Sequence, residues 1–108
     1  MASEQAETRS AAAALETGRR VIRAERAGLD ALADSLDPAF AEAVALIGGA
    51  AGRLIICGVG KSGHVARKVS STFASTGTPS FFLHAAEAGH GDLGIIGSGD
   101  VVLILSNS

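Results

Sequence analysis

The sequence predicts an α/β fold, a three-layer doubly wound parallel sheet preceded by two amino-terminal helices. Three observations carry that expectation. Residues 54–57, 80–83 and 101–105 are short apolar runs without alternation, as strands covered on both faces read. A helical period separates the first two runs, and a short polar segment separates the last two. Strand, helix, strand, short helix, strand is the order that right-handed crossovers fold into a parallel sheet.

The chain divides at Asp37-Pro38, giving a helical segment over 1–36 and an α/β portion over 37–108. Residues 10–36 contain no proline and much alanine. Leu15, Ile22, Leu29 and Leu36 recur every seven residues with Leu32 in the intermediate seam. This predicts one long amphipathic helix after a few frayed residues, its stripe lying on the sheet or on a second subunit. Arg19, Arg20, Arg23, Glu25 and Arg26 fall on the other faces, where charge is solvated. Asp37 is a favoured N-cap and Pro38 a favoured first helical residue. Phe40, Val44 and Ile47 follow at helical spacing until Gly48-Gly49 ends the second helix.

The first strand, 54–57, runs into Gly58-Val59-Gly60-Lys61-Ser62-Gly63-His64. Cys57 reads as a small core residue, because apolar surroundings keep a thiol protonated and inert. A helix is expected from Ser62 to about Ser75, with Val65, Ala66, Val69 and Phe73 toward the sheet and Arg67 and Lys68 on the far side. Gly77-Thr78-Pro79 stops it. Residues 84–94 read as a polar loop holding one turn of helix, and residues 101–105 as a third buried strand.

Composition narrows the function. The 108 residues are 47% apolar, with four phenylalanines and neither tryptophan nor tyrosine, enough for one small domain. The net charge of −2 comes without a basic stripe, which argues against a nucleic-acid partner. No apolar run approaches the roughly 20 residues of a membrane span, so no membrane partner is expected. The acidic first residues are no secretory signal, and the single cysteine builds no disulfide framework. A cytoplasmic location follows as the expectation.

Ligands of doubly wound sheets collect at the carboxyl ends of the strands. Those ends carry residues 58–62, His84 onward, and Ser106-Asn107-Ser108. Gly58-x-Gly60-x-x-Gly63 matches the dinucleotide fingerprint, but the second strand ends at His84 rather than at the acid that would hold a ribose. Gly60-Lys61-Ser62 resembles the tail of a P-loop, yet its leading glycine would have to be Ile55, inside the strand. What survives is a helix start whose amides and Ser62 hydroxyl hold one phosphate, with the Lys61 charge beside it. Ser106, Asn107 and Ser108 add two hydroxyls and an amide at the same edge. His84, His90 and Asp92 match no standard zinc spacing, so no metal is expected.

Gly60-Lys61-Ser62-Gly63-His64, Phe73-Ala74-Ser75-Thr76-Gly77-Thr78-Pro79, His84-x-x-Glu87-Ala88-x-His90-Gly91-Asp92-Leu93-Gly94 and Ser106-Asn107-Ser108 together resemble the sugar isomerase (SIS) domain of arabinose-5-phosphate isomerases, from Ala27 onward. The resemblance implies interconversion of D-arabinose 5-phosphate and D-ribulose 5-phosphate through an enediol, feeding Kdo and lipopolysaccharide synthesis. It implies no cofactor and, for the full-length family, a homo-tetramer. It makes Lys61 and His90 catalytic residues, and Gly60, Ser62, Ser106 and Ser108 phosphate-binding residues. His64, His84 and Glu87 are candidate substrate contacts. Ala85 stands where the family usually has proline. The family continues past Ser-Asn-Ser into further strands with catalytic glutamates and a histidine, which implies that 37–108 is the first portion of a SIS domain and holds part of the site. A non-catalytic SIS module that binds a sugar phosphate for regulation is the alternative.

The residues fit that chemistry in part. Lys61 can stabilise an enediolate oxygen, and His90 can move a proton between oxygens because imidazole titrates near neutral pH. No residue offers itself as the carbon base.

Overall fold

The structure, a computed structural model, describes residues 1–88 and 92–107. It divides into two units, Met1–Phe40 and Ala41–Ser108.

The first unit is essentially one helix. Helix α1 spans Ala2–Ser35, 34 residues and about 51 Å at 1.5 Å per residue. It begins earlier than the frayed start expected from the sequence. Ala2, Glu4, Gln5, Ala6 and Glu7 are strong helix formers, and Glu4 sits where the helix dipole favours an acid. The Thr8 hydroxyl donates to the Glu4 carbonyl at 2.9 Å, which folds that polar group into the helix. At the other end Ser35 donates to the Leu32 carbonyl and Leu36 turns extended. No residue of α1 is buried, and Leu15, Ile22, Leu29 and Leu36 are all more than half exposed.

Helix α2, Pro38–Gly48, starts as the sequence predicts: the Ala39 amide donates to the Asp37 carboxylate at 2.9 Å. Its final turn delivers Ile47 to the core of the second unit.

That core is built on a parallel sheet with strand order β2-β1-β3, where β1 is Leu54–Gly58, β2 is Ser80–His84 and β3 is Val101–Ile104. Leu54 lies opposite Ser80 on one side and Val101 on the other, and Cys57 lies opposite Leu83 and Ile104. All five residues of β1 are buried. Leu54, Ile55 and Ile56 are the largest side chains completely out of solvent, each contributing about 1.5–3 kcal/mol. Leu54 and Ile56 pack with Ala66 of helix α3 (Gly60–Ser75), and Val69 and Phe73 of the same helix close over them. Ser70, the one buried polar residue among those described, shares a 3.0 Å hydrogen bond with Ser80 where α3 meets β2.

After β2 the chain forms helix α4 (Ala85–Ala88) and a 3₁₀ turn (Asp92–Ile95), then returns past β1 to form β3. The crossovers from β1 to β2 and from β2 to β3 run in opposite directions along the sheet, and right-handed connections of opposite direction lie on opposite faces. The doubly wound α/β class is therefore as expected, with four local corrections. Helix α3 begins at Gly60, two residues before the expected start. Val65 does not face the sheet but is 56% exposed, because Ala66, Val69, Ser70 and Phe73 already fill the inward face. Arg67 leaves the far side and stacks over Phe82, its guanidinium 4.4 Å from the ring centroid. Strand β3 is half-covered rather than buried: Val101 and Leu103 turn inward, whereas Val102 and Ile104 are exposed.

The amino ends of β1 and β3 are clasped together. Asp100 accepts from the Arg53 amide at 2.6 Å, from the Gly97 amide at 2.7 Å and from the Arg53 guanidinium at 3.1 Å. The same guanidinium donates to the Ile95 carbonyl at 2.6 Å, and Gly52 donates to the Gly99 carbonyl at 2.9 Å. The two backbone amides and the Arg53 side chain hold the Asp100 carboxyl well below its ordinary value of 3.8, at about 2.

Candidate functional site

The opposite, carboxyl ends of the strands carry the polar residues. Strand β1 passes into α3 through Gly58-Val59-Gly60, and each glycine of this stretch has its own reason to be one. Gly60 has φ of +58°, a conformation side chains resist. A Cβ on Gly58 would stand 3.0 Å from the Ser62 carbonyl oxygen, and one on Gly63 would stand 3.0 Å from the Gly58 carbonyl oxygen. The strand end and first helical turn thus touch backbone to backbone. That close approach explains the G-x-G-x-x-G spacing without a dinucleotide. Ile55, where a P-loop would need its first glycine, is fully buried in β1.

The N-cap of α3 is Val59, which offers no capping side chain. The first helical bond in this turn runs from the Gly63 amide to the Val59 carbonyl, at 3.0 Å. The amides of Gly60, Lys61 and Ser62 precede it and face outward from the helix end, as the first amides of any helix do.

Strands β1 and β3 are neighbours, and between them lies the topological switch point of the sheet. A cleft of about 450 Å³ opens there, lined by Lys61, Ser62, Val65, Ile104, Ser106 and Asn107. Among the described residues of its lining, Lys61 supplies the only formal charge. Strand β3 is carried to this rim by the Leu105 amide, which donates to the Cys57 carbonyl at 2.9 Å. The two strand ends thus bring Lys61, Ser62 and Ser106 into one cleft with Asn107, whose amide the sequence offers between two serines.

Gly60, His64 and His84 go elsewhere. They line a second cleft of about 200 Å³ beside β2, with Gly63, Arg67 and Phe82. His84 closes β2, and its Nδ1 accepts from the Ala86 amide at 3.2 Å. A neutral His84 therefore carries its proton on Nε2. The Phe82 and His84 rings meet edge-on, with centroids 6.2 Å apart. Arg67 is the residue sequence reasoning missed. Its signal was available in the spacing, since Gly60, Gly63, His64 and Arg67 recur three and four apart and share one helix face. His90 and Ser108 lie outside the described residues, as does the side chain of Glu87.

The SIS domain family profile matches residues 50–108. An arabinose 5-phosphate isomerase KdsD from Pseudomonas aeruginosa is 49% identical over 94 residues, covering 87% of this chain and 29% of the relative. The arabinose 5-phosphate isomerase GutQ of Shigella flexneri is 46% identical over 96 residues, covering 89% of this chain and 30% of the relative. A solved Escherichia coli CFT073 protein in complex with arabinose 5-phosphate superposes with a TM-score of 0.69 at 49% identity, over 73% of this chain and 42% of that one. The chain spans less than a third of the length of these curated relatives.

Proposed function

Because the chain belongs to the SIS-domain family, we propose that it carries part of the active site of a sugar-phosphate aldose–ketose isomerase. The substrate pair is D-arabinose 5-phosphate and D-ribulose 5-phosphate, the step that feeds Kdo and lipopolysaccharide synthesis. Residues 1–36 are then an amino-terminal helical segment, and 37–108 the first portion of the SIS domain. The protein works in the cytoplasm as a homo-oligomer, without a cofactor.

One observation supports this reading above the others. Lys61 and Ser62 from the end of β1 meet Ser106 and Asn107 from the end of β3 in a single cleft at the switch point. The hydroxyls of Ser62, Ser106 and Ser108 and the amides of the first α3 turn, Gly60 included, hold the sugar phosphate. Anchoring that end fixes the carbonyl end in place, which converts chance encounter into oriented attack. Lys61 stabilises the negative oxygen of the enediolate. His90 carries protons between the two oxygens. Glu87 completes the substrate contacts; His64 and His84 line the second cleft, apart from the phosphate anchor. The proton on carbon needs a base, and none lines the cleft among the described residues.

That last point favours a second reading, a SIS module that binds a sugar phosphate for regulation without turnover. No carboxylate lines the cleft among the described residues. The 108-residue chain is expected to bind D-arabinose 5-phosphate with negligible conversion, and Ser62→Ala to weaken binding at least about tenfold, the value of one or two charge-assisted hydrogen bonds. Calorimetry measures the binding and a ribulose assay the conversion. Unchanged affinity in Ser62→Ala would remove the phosphate role. The protein bearing this chain is expected to interconvert the two sugars; binding without conversion there would select the regulatory reading.

A further inference from the structure

The second cleft has a chemistry of its own, set apart from the lysine and serines. Arg67 lies flat over Phe82, its guanidinium carbon 4.4 Å from the ring centroid. Stacking of this kind fixes the plane of the guanidinium while leaving its N–H groups at the edge free to donate. Phe82 in turn meets the His84 ring edge-on at 6.2 Å, so one aromatic side chain orients both nitrogen donors. The Ala86 amide occupies Nδ1 of His84, which leaves Nε2 as the nitrogen available to a ligand. His64 completes the lining one helical turn before Arg67. Among the described residues no aspartate or glutamate lines the cleft, and Arg67 forms no ion pair.

We propose that this cleft is a second oxyanion site, which takes a carboxylate or phosphate group through Arg67, His64 and His84 independently of the Lys61–Ser62 cleft. A fixed cation flanked by two imidazoles, with no acid beside them among the described residues, selects negative charge. The same cation argues against a metal between the two histidines, since it would stand beside the ion. Arg67 rather than lysine suits the role, because a planar fork pairs both oxygens of a carboxylate or phosphate. At about 200 Å³ the cleft is less than half the size of its neighbour and fits the charged end of a ligand rather than a whole sugar phosphate.

The test is a titration of the isotope-labelled chain with sodium phosphate and, separately, with sodium acetate at constant ionic strength, reading the imidazole resonances of His64 and His84 and the amides of Ser62 and Ser106. In the Ser62→Ala variant the histidine resonances are expected to shift with phosphate as in the unmodified chain. In Arg67→Gln those shifts should weaken at least tenfold while the Ser62 and Ser106 amides respond normally. Histidine shifts that vanish with Ser62→Ala and survive Arg67→Gln would overturn the proposal, because both anions would then share one site. Histidine resonances that move with neither anion would overturn it as well. A response to phosphate alone would narrow the ligand to phosphate esters, and a response to both would support the oxyanion class. Arg67→Lys, which keeps the charge without the planar fork, controls for folding: retained amide chemical-shift dispersion with loss of the acetate response supports recognition by the fork. If that variant instead keeps the full acetate response, recognition by Arg67 geometry is wrong.

Discussion

The two ends of the sheet are made from the same strands and spend their polar groups in opposite ways. At the amino end the polar groups are paired with one another: Asp100 takes three hydrogen bonds and Arg53 shares its guanidinium between Asp100 and the Ile95 carbonyl. At the carboxyl end the α3 start has no capping side chain, and Lys61 and Arg67 have no carboxylate partner among the described residues. Satisfied polar groups stabilise; groups held in place without a partner are available to a ligand. The difference separates residues that keep the chain folded from residues proposed to act.

Substitutions at the two ends should therefore move different readouts. The largest effect is expected from Lys61→Ala in the active protein that bears this chain: a loss of turnover on the order of 100- to 1,000-fold, typical of removing one electrostatic stabiliser, with the melting midpoint unchanged. Near-normal turnover would end the role of Lys61 and with it the contrast. Ile56→Ala, in the centre of β1 between the two ends, should cost about 2–5 kcal/mol in denaturant unfolding, because it empties a fully buried position. Gly58→Val should cost about 1–3 kcal/mol and disturb phosphate binding too, since its Cβ would press on the backbone of Ser62 and Gly63. A variant that loses neither would show that the strand–helix junction can yield.

Asp100 tests the other end. Its carboxyl is held at about 2, below its ordinary value of 3.8, so the folded state favours the ionised form. The stabilisation is complete above the ordinary value and is lost as pH falls from there through about 2. Asp100→Asn should lower the melting midpoint at pH 7, flatten its fall between pH 4 and 2, and leave ligand affinity at neutral pH as it was. A loss of affinity would mean that the clasp reaches the site. The smallest effect is expected from Val102→Ser on the open face of β3, about 0.5 kcal/mol or less by the same unfolding measurement.

The class of fold was legible because its signals are local. Continuous apolar runs marked β1 and β2, Asp37-Pro38 marked the start of α2, and Gly77-Thr78-Pro79 marked the end of α3. Errors arose where a residue's surroundings come from distant chain. Val102 and Ile104 read as core because they are apolar, but burial on both faces depends on what covers the sheet, not on the strand itself. Arg67 read as lying on the far side of its helix, but its position is set by Phe82 on another strand. The site was legible to the same extent: its residues lie at strand ends, and a parallel sheet brings strand ends together. Their division between two clefts depends on strand order, and no single strand encodes that β1 lies between the other two.

The clasp between Arg53 and Asp100 also bears on how the chain folds. The two residues are 47 positions apart, and closing a loop of that length costs on the order of 3 kcal/mol in chain entropy. Strands β1 and β2, joined through α3, are separated by a shorter span and pair first on that account. On that order strand β3 is expected to join last, with the clasp forming after the barrier is crossed. Loss of Asp100 should accordingly speed unfolding while leaving the folding rate almost untouched. The carboxylate acts as a catch on the lifetime of the folded chain rather than as a guide to its assembly.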